Sequence, residues 1–326
     1  MATAKRKPTT AKRAVRKSPK RQPPRRKGRA GRRFFFSMLL ILVFALVYYF
    51  FGDEIQSRLG INFGGSAAIS LTDNEILVSF LDVGQGDSIV VRSNSHAILI
   101  DGGEHAQRNV VLNYLRDAGV RRLDYVVATH PHSDHIGGLV TVLRQLDVGR
   151  VIMPYVTHTT DTFSRFLDVI DNNNIPVTFP SPGDSIQAGI INFTILGPPT
   201  PHPGPAGNLN NASIILRLEH GQNSFLFTGD AERELEDWLV ASGANLAATV
   251  LKVGHHGSRT SSTDAFLDAV SPRAAVISLG ANNTHGHPHR EVMDRLNARG
   301  IIIYRTDQLG TIRMITDGQR IDWLRK

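Results

Sequence analysis

The sequence predicts an α/β (α+β) fold in which two β-sheets pack against each other and helices cover the outer faces. Short runs rich in Val, Ile, Leu and Phe recur along both halves of residues 75–326, and glycine- or proline-containing turns separate them. Stretches with apolar residues at helical spacing lie between these runs. Because each half is rich in strands and carries a few helices, we expect two packed sheets with helices outside.

The first 33 residues form a strongly basic segment. They hold fifteen Lys or Arg residues, no acidic residue and almost nothing apolar. Such a segment cannot form a core, so we expect 1–33 to be a disordered cytoplasmic tail. Of the chain's 37 basic residues, 37 − 15 = 22 remain against 29 acidic ones, so the body is mildly acidic although the whole chain carries +8. The basic composition therefore belongs to the tail alone.

An uncharged apolar run follows at 34–51. As a helix, it would span about 27 Å, which is close to the hydrocarbon thickness of a bilayer. A cleaved signal peptide would have a shorter apolar region and a small-residue cleavage site, which the segment after residue 51 does not offer. We therefore expect a single-pass signal-anchor helix in the cell membrane. Because basic flanks stay in the cytoplasm, the domain after the anchor is expected to be extracytoplasmic.

Residues 52–74 contain several glycines and little apolar periodicity, which predicts a linker before a domain at 75–326. The predicted strands are 76–83, 88–92, 96–100, 123–128, 151–153, 177–179, 190–196, 213–219, 224–228, 250–253, 275–278, 301–304 and 312–315. The predicted helices are 109–118, 139–146, 162–171, 231–241, 264–269 and 289–298. Asp230 is expected at the N-cap of the helix 231–241.

Metal-binding residue types are densest at 129–135, directly after a predicted strand. Imidazole and carboxylate ligands suit zinc, manganese or iron, and the chain has no cysteine to compete with them. The proline in this segment prevents a helix or central strand from continuing, so we expect the ligands on a loop. His130 and His132 are expected to project the same way. Asp134 and His135 turn towards a second position, which predicts two adjacent divalent ions, Zn or Mn.

Six segments of the domain carry a family resemblance. They are 80–87 (FLDVGQGD), 98–103 (ILIDGG), 129–138 (THPHSDHIGG), 227–230 (FTGD), 251–258 (LKVGHHGS) and 283–288 (NTHGHP). In combination they resemble the metallo-β-lactamase superfamily, and most of all the hydrolase domain attached to ComEC-type DNA-uptake proteins. The resemblance runs from about residue 75 to the end. It implies a four-layer αββα sandwich with the site along one edge.

The resemblance also implies which residues hold the metals. The implied ligands are His130 and His132 for one ion, Asp134, His135 and His255 for the other, and Asp230 as a bridge between them. The sequence does not settle the choice between His255 and His256, and we prefer His255 as the ligand. Many superfamily members have a further histidine before the bridging aspartate, where this chain has Asn and Ser at 208–213. Asn211 could take its place.

Other residues are predicted to assist the metals or the substrate. Asp134 and His287 are the predicted catalytic residues, and His287 would bind the scissile phosphate or protonate the leaving group. Asp101 is expected to orient a ligand imidazole. The remaining predicted supporting or substrate-contacting residues are Asp82, Gln85, Asp87, Asn211, His256, Ser258 and Asn283. Lys252 is either a phosphate contact or a solvated strand residue.

The implied activity is hydrolysis by a hydroxide shared between two cations, with DNA or another phosphodiester outside the cytoplasm as the expected substrate. Two alternatives stay open. The same chemistry would hydrolyse a lactone, a thioester or a β-lactam. In a different class of function, the metal-containing domain would be a binding or assembly partner of the DNA-uptake machinery. The acidic body counts mildly against non-specific DNA binding, since phosphate binding requires clustered cations.

Overall fold

Two large β-sheets form the centre of the domain. The computed structural model describes residues 69–201 and 207–324. Within them, one sheet has eight strands and the other seven. The first sheet has the spatial order β17 (Ile321–Leu324), β16 (Ile312–Thr316), β1 (Ile76–Phe80), β2 (Ile89–Arg92), β3 (Ala97–Ile100), β5 (Tyr125–Val127), β7 (Val151–Ile152), β8 (Val177–Thr178). The second sheet has the order β15 (Ile302–Arg305), β14 (Ala274–Ile277), β13 (Val250–Lys252), β12 (Asn223–Phe227), β11 (Ile215–His220), β10 (Ile191–Gly197), β9 (Ser185–Ala188). A separate short pair consists of β4 (Arg122–Leu123) and β6 (Asp147–Val148).

The inner faces of the two sheets share one apolar core. Phe80 of the first sheet stacks on Phe227 of the second, with ring centroids 6.1 Å apart. Along β2, Ile89 and Val91 point into this core, whereas Val90 between them points to the outer apolar layer. Side chains alternate between the faces of a strand, so a slip of one residue would exchange the two layers. The register, and with it the position of each strand end, is therefore strongly specified.

Helices cover the outer faces of both sheets. The helices on the first sheet are α1 (Arg108–Asp117), α3 (Leu139–Gln145) and α4 (Asp161–Asn172). The helices on the second sheet are α5 (Arg233–Ala241), α6 (Asp264–Val270) and α7 (Arg290–Ala298). Two one-turn helices are α2 (Ser133–Ile136) and α8 (Thr306–Leu309). The layers run helix, sheet, sheet, helix, which confirms the predicted sandwich.

Parallel strands bring several loops to one edge. In the first sheet, β3, β5, β7 and β8 are parallel neighbours. In the second sheet, β12, β13 and β14 are parallel neighbours as well. The carboxyl ends of parallel strands meet at the same edge of a sheet, so the loops after β12 and β13 lie side by side. The loop after β5 in the first sheet meets them where His135 approaches Asp230. These loops hold the residues predicted to bind metal.

Several local predictions differ from the structure. Helix α5 begins at Arg233 with Glu232 at its N-cap position, so Asp230 is not the cap and is free for another role. The predicted ligand loop contains the one-turn helix α2. The helix begins after the proline, and His132 occupies its N-cap position. Strands β6, β9 and β17 were not predicted. They are short, and at least half of their residues are exposed or partly exposed, so they carry little apolar signal.

The predicted tail at 1–33 and the predicted anchor at 34–51 lie outside the described residues. Of the predicted linker, only 69–74 is described, and its Leu71 is buried. Across 69–201 and 207–324, no helix combines the length and apolar character needed to cross a membrane. The domain boundaries and the membrane anchor stay predictions.

Candidate metal centre

Close backbone packing positions the segment that carries Asp134 and His135. The turn between β1 and β2 lies directly against α2, and its Gly86 has a φ of +113°. A Cβ atom at Gly86 would lie 2.1 Å from the carbonyl oxygen of Asp134, so no larger residue fits there. The amide of Asp87 donates to that same carbonyl oxygen at 3.2 Å. The glycine-rich turn thus fixes the start of α2 and the side chains that α2 presents.

Two imidazoles and two carboxylates converge at the edge between the sheets. The four residues are Asp134, His135, Asp230 and His256, and their ligand atoms lie within 4.8 Å of one another. The Nε2 atom of His135 is 3.3 Å from Oδ2 of Asp230. The Nε2 atom of His256 is 3.4 Å from one oxygen of Asp134 and 3.4 Å from one oxygen of Asp230. We call this set the four-residue donor group.

The donor group fits a divalent cation. Three of its buried atoms have no hydrogen-bond partner among the described residues, namely Nε2 of His135, Nε2 of His256 and Oδ1 of Asp230. Buried polar atoms in proteins are nearly always paired, so unpaired nitrogen and oxygen atoms that converge indicate a missing partner. A set of two imidazoles and two carboxylates is one that zinc and manganese accept.

Electrostatic interactions keep the carboxylates of this group ionised. Burial alone would raise the pKa of Asp230, but the rings of His256 and His135 hold it well below its usual range. Burial alone would likewise lower the pKa of His256, whereas Asp230 and Asp134 raise it to about 9. The carboxylates therefore remain charged in the interior and attract positive charge.

His130 and His132 lie next to the donor group, and the ring of His130 is 4.1 Å from that of His135. Nε2 of His130 is 3.0 Å from Nδ1 of His132 and 3.8 Å from Oδ2 of Asp230. Burial, and then the charge of His135, hold the pKa of His130 well below its usual value. Oδ2 of Asp230 is thus approached by Nε2 of His130 and by Nε2 of His135. This position is the one that the sequence predicts for a bridging carboxylate.

The geometry favours His256 over His255, contrary to the preference drawn from the sequence. Both residues have left-handed backbones, with φ of +45° for His255 and +53° for His256, which non-glycine residues seldom adopt. His256 is buried, and its Nδ1 lies 3.0 Å from the carbonyl of Ser278. His255 turns its Nδ1 to Glu232 at 3.0 Å, and its Nε2 stays 3.9 Å from Asp230. The strained turn therefore directs the two adjacent rings to different places.

Asp101 has the contacts of an orienting carboxylate. One of its oxygens accepts a hydrogen bond from the backbone amide of Thr129 at 2.8 Å. The other oxygen accepts a hydrogen bond from the hydroxyl of Thr129 at 2.7 Å and lies 2.8 Å from Nδ1 of His135. If this nitrogen carries the proton, Nε2 of His135 presents a free lone pair to the donor group. Burial raises the pKa of Asp101, and His135 opposes that effect.

Asp87 and Lys252 form a buried ion pair behind the donor group. Each residue is 1% exposed, and the ammonium of Lys252 also donates to the carbonyl of Gly229 at 3.1 Å. The second carboxylate oxygen of Asp87 is 3.5 Å from Nδ1 of His256. Lys252 is therefore neither a solvated strand residue nor free to contact a phosphate. It neutralises a carboxylate that supports a ligand candidate.

Three other predicted site residues have structural contacts. The side-chain oxygen of Asn211 accepts a hydrogen bond from the backbone amide of Glu232, and its side-chain nitrogen donates one to the carboxylate of Glu234. Because both ends of the side chain are occupied, Asn211 is disfavoured as a metal ligand. Asp82 is exposed and accepts from the amide two residues on, within its own turn. Ser258 contacts the hydroxyl of Thr260 at 2.9 Å rather than the donor group.

Gln85, Asn283 and His287 lie nearer the rim. The side-chain oxygen of Gln85 is buried and has no partner in the described part of the chain. Asn283 exchanges two hydrogen bonds with the backbone of His287 and so fixes that residue. The ring of His287 is 6.3 Å from that of His256. Burial lowers the pKa of His287, and the neighbouring histidines, of which His256 has the largest effect, lower it further in the same direction, to about 4. The ring of His287 is therefore neutral near pH 7.

Sequence reasoning missed Glu232. Its carboxylate lies 3.0 Å from Nδ1 of His255 and accepts hydrogen bonds from Asn208, Asn210 and Thr260. Burial alone would raise the pKa of Glu232, but these hydrogen bonds, first the one from His255, lower it to about 2. The helix predicted from residue 231 concealed the extended backbone at Glu232 that points its side chain at the turn.

A four-layer sandwich with a buried His and Asp group at the edge between its sheets defines a class of metal-dependent hydrolases. The family model described as the metallo-beta-lactamase superfamily matches residues 81–281. The chain belongs to the metallo-β-lactamase superfamily. Proteins of this fold bind divalent metals, often two.

Three curated proteins support the predicted resemblance to ComEC-type proteins. ComE operon protein 3 of Bacillus subtilis is 33% identical over 72% of this chain and 32% of that protein. Competence protein ComA of Neisseria gonorrhoeae is 34% identical over 75% of this chain and 33% of that protein. Recombination protein 2 of Haemophilus influenzae is 31% identical over 73% of this chain and 28% of that protein. The chain thus spans about a third of the length of these relatives.

A solved structure shares the fold. The diiron β-hydroxylase CmlA from Streptomyces venezuelae superposes with a TM-score of 0.50 at 14% identity, over 83% of this chain and 59% of that one. At that identity the likeness concerns the fold alone. It agrees with the αββα layers described above.

Proposed function

We propose that this chain is a membrane-anchored, metal-dependent phosphodiesterase that hydrolyses nucleic acid outside the cytoplasm. The observation that carries the proposal is the four-residue donor group, whose buried ligand atoms converge without hydrogen-bond partners. Relatives named for competence and recombination favour nucleic acid over a lactone, a thioester or a β-lactam. Since the chain spans about a third of those relatives, the substrate is a proposal about this domain and not a property inherited from them.

We assign one ion to Asp134, His135, Asp230 and His256, and a second to His130 and His132, with Asp230 as the shared ligand. When bound, two Zn²⁺ or Mn²⁺ ions would acidify a water molecule and withdraw charge from a phosphoryl group. The chain's own residues hold the ligands in place for this. Asp101 fixes the tautomer of His135.

His287 is the residue that we assign to the leaving group. Its neutral ring has N–H donor capacity, and Asn283 holds its backbone at 2.8 and 2.9 Å. A hydrogen bond to the oxygen of the departing strand would stabilise the charge that develops there. Asp134 serves as a ligand and as a carboxylate facing His256, so its loss would disable the site.

The proposed activity is tested on the full chain in detergent, stripped with a chelator and then reloaded with Mn²⁺ or Zn²⁺. The substrates are single-stranded DNA, bis(p-nitrophenyl) phosphate and a lactone. We expect metal-dependent cleavage of both phosphodiesters, with a loss of about 100-fold or more in Asp134→Asn, since even residues that only support ligands contribute about 10–100-fold. The matched control is Asp82→Asn, an exposed aspartate held in its own turn, which should retain activity.

The outcomes separate the competing functions. Turnover of the lactone without phosphodiester cleavage would refute the nuclease proposal. Metal retention without turnover of any substrate would favour the binding or assembly role. The proposed orientation is tested separately by a reporter fused after residue 326, which should be active outside the cytoplasm and would contradict the proposal if it were active only inside.

A further inference from the structure

Two aromatic side chains are exposed and touch each other. Tyr155 is 79% exposed and Phe179 is 50% exposed. Their ring centroids are 5.1 Å apart, with the planes at 79°. The other strongly exposed large apolar side chains within the described residues are aliphatic. Aromatic rings normally bury most of their surface, so an exposed pair in contact indicates a binding surface.

The fold places this aromatic pair on the same edge as the metal centre. Strands β5, β7 and β8 are consecutive parallel neighbours. The ligand segment follows β5, Tyr155 follows β7 and Phe179 follows β8. Neighbouring strands are about 4.8 Å apart, so the pair begins about 5 Å along the edge from the ligand segment. Direct contact agrees with this, since His158 in the Tyr155 loop has its ring centroid 5.7 Å from that of His132.

A groove runs beside Tyr155 between the edges of the two sheets. Its volume is about 600 Å³. Pro154 and Val156 line it from the first sheet, and Pro198 and Leu209 line it from the second. Leu209 belongs to the same turn, Leu209–Ala212, as Asn211, which bonds to the segment after Asp230. The groove therefore lies beside the turn that contacts the segment after Asp230, and its volume suits one flat heterocycle with its sugar.

We propose that Tyr155 and Phe179 form a stacking platform for an unpaired base of a single-stranded nucleic acid whose backbone lies at the metal centre. This inference rests on the proposed function and names the form of its substrate. Stacking on aromatic rings binds any base and requires no cation. It thus supplies affinity to a body with 22 basic and 29 acidic residues outside the tail. In a duplex the faces of a base are covered by its neighbours, so a double strand cannot use the platform.

The platform is tested by binding, apart from hydrolysis. The full chain is stripped of metal, and its affinity for fluorescently labelled oligothymidylate is compared with that for an abasic oligomer of equal length and charge. Stacking of one base is worth about a tenfold difference in Kd. Tyr155→Ala and Phe179→Ala should each remove most of this difference, whereas Tyr155→Phe should keep it. The control is Ile302→Ala, an equally prominent apolar residue (58% exposed) on strand β15, at the far edge of the second sheet.

The result can separate the inference from the proposed function. Equal affinity of the unaltered chain for the two oligomers, or for single-stranded and duplex DNA, would overturn the platform even if phosphodiesters are cleaved. Absence of metal-dependent phosphodiester cleavage would overturn the proposed function whatever the oligomers bind. Oligouridylate is measured in parallel to distinguish RNA from DNA. Tighter binding of either oligomer than of its abasic counterpart supports the platform.

Discussion

Replacing Lys252 by Met tests how strongly the buried ion pair supports the metal centre. Lys252 and Asp87 are each 1% exposed, and the ammonium contacts the Asp87 carboxylate and the carbonyl of Gly229. Met fills a similar volume, so the change removes a charge without opening a cavity. Removing one member of a buried pair leaves the other charge uncompensated and costs about 3–5 kcal/mol in the free energy of unfolding. Asp87 would then stand unneutralised beside Asp134 and Asp230.

A second variant separates the charge from the shape. When Asp87→Asn is combined with Lys252→Met, no uncompensated charge remains, and most of the loss should be recovered because replacing both partners of a buried pair is often close to neutral. Urea denaturation of the metal-stripped chain gives the free energies. Tryptophan fluorescence is a suitable signal, since the chain's two tryptophans, Trp238 and Trp323, both lie in the domain.

The exposed ion pair between Arg122 and Asp147 provides the control. Its side chains are 56% and 62% exposed, so Arg122→Met should cost less than about 1 kcal/mol. A cost below about 1 kcal/mol for Lys252→Met would refute the reasoning. So would a double variant that is as unstable as the two single costs added together.

Three further predictions concern the donor group and its surroundings. His256→Ala should lose bound metal, whereas His255→Ala should retain it, as measured by mass spectrometry of the chain's metal content; the reverse order would restore the preference drawn from the sequence. Asp101→Asn should weaken metal affinity by about 10–100-fold in a chelator competition, because His135 loses its orienting acceptor; unchanged affinity would argue against that role. Burial raises the pKa of Glu236 from 4.5 to about 7, although two backbone amides oppose it. The native state then keeps a proton that the unfolded chain releases, so Glu236 should cost roughly 3 kcal/mol of stability as the pH rises from 4.5 to 7. Urea titrations of the wild type and Glu236→Gln across this pH range should show that slope in the wild type alone.

Much of the fold follows from local sequence patterns. Segments such as Ile76–Phe80 and Ala97–Ile100 are short apolar runs bounded by turns, and they are strands because both their faces are covered. The strand Ser185–Ala188 escaped prediction because half of its residues are exposed, which leaves too few apolar positions to mark it. Pattern reasoning thus finds the central strands, and of the four edge strands it finds β8 and β15 and misses β9 and β17.

The candidate site shows a similar limit. The density of histidine and aspartate at 129–135 is enough to indicate a metal site. The adjacent His255 and His256, by contrast, cannot be distinguished from the sequence. They differ only because a left-handed turn directs one ring inward. The burial of Lys252 depends on Asp87, which lies far away in the chain and meets it only through the fold. Contacts of this kind are decided by tertiary structure, and no local pattern contains them.

The donor group takes its members from both sheets. Asp134 and His135 follow a strand of the first sheet, whereas Asp230 and His256 follow strands of the second. A cation held by all four would act as a crosslink between the halves of the sandwich, in a chain that has no cysteine to form a disulfide. Neither half could bind that cation alone with the same ligands. Loading of the site would therefore report that the two halves have assembled, and removal of the cation would loosen the sandwich at the edge that carries the donor group.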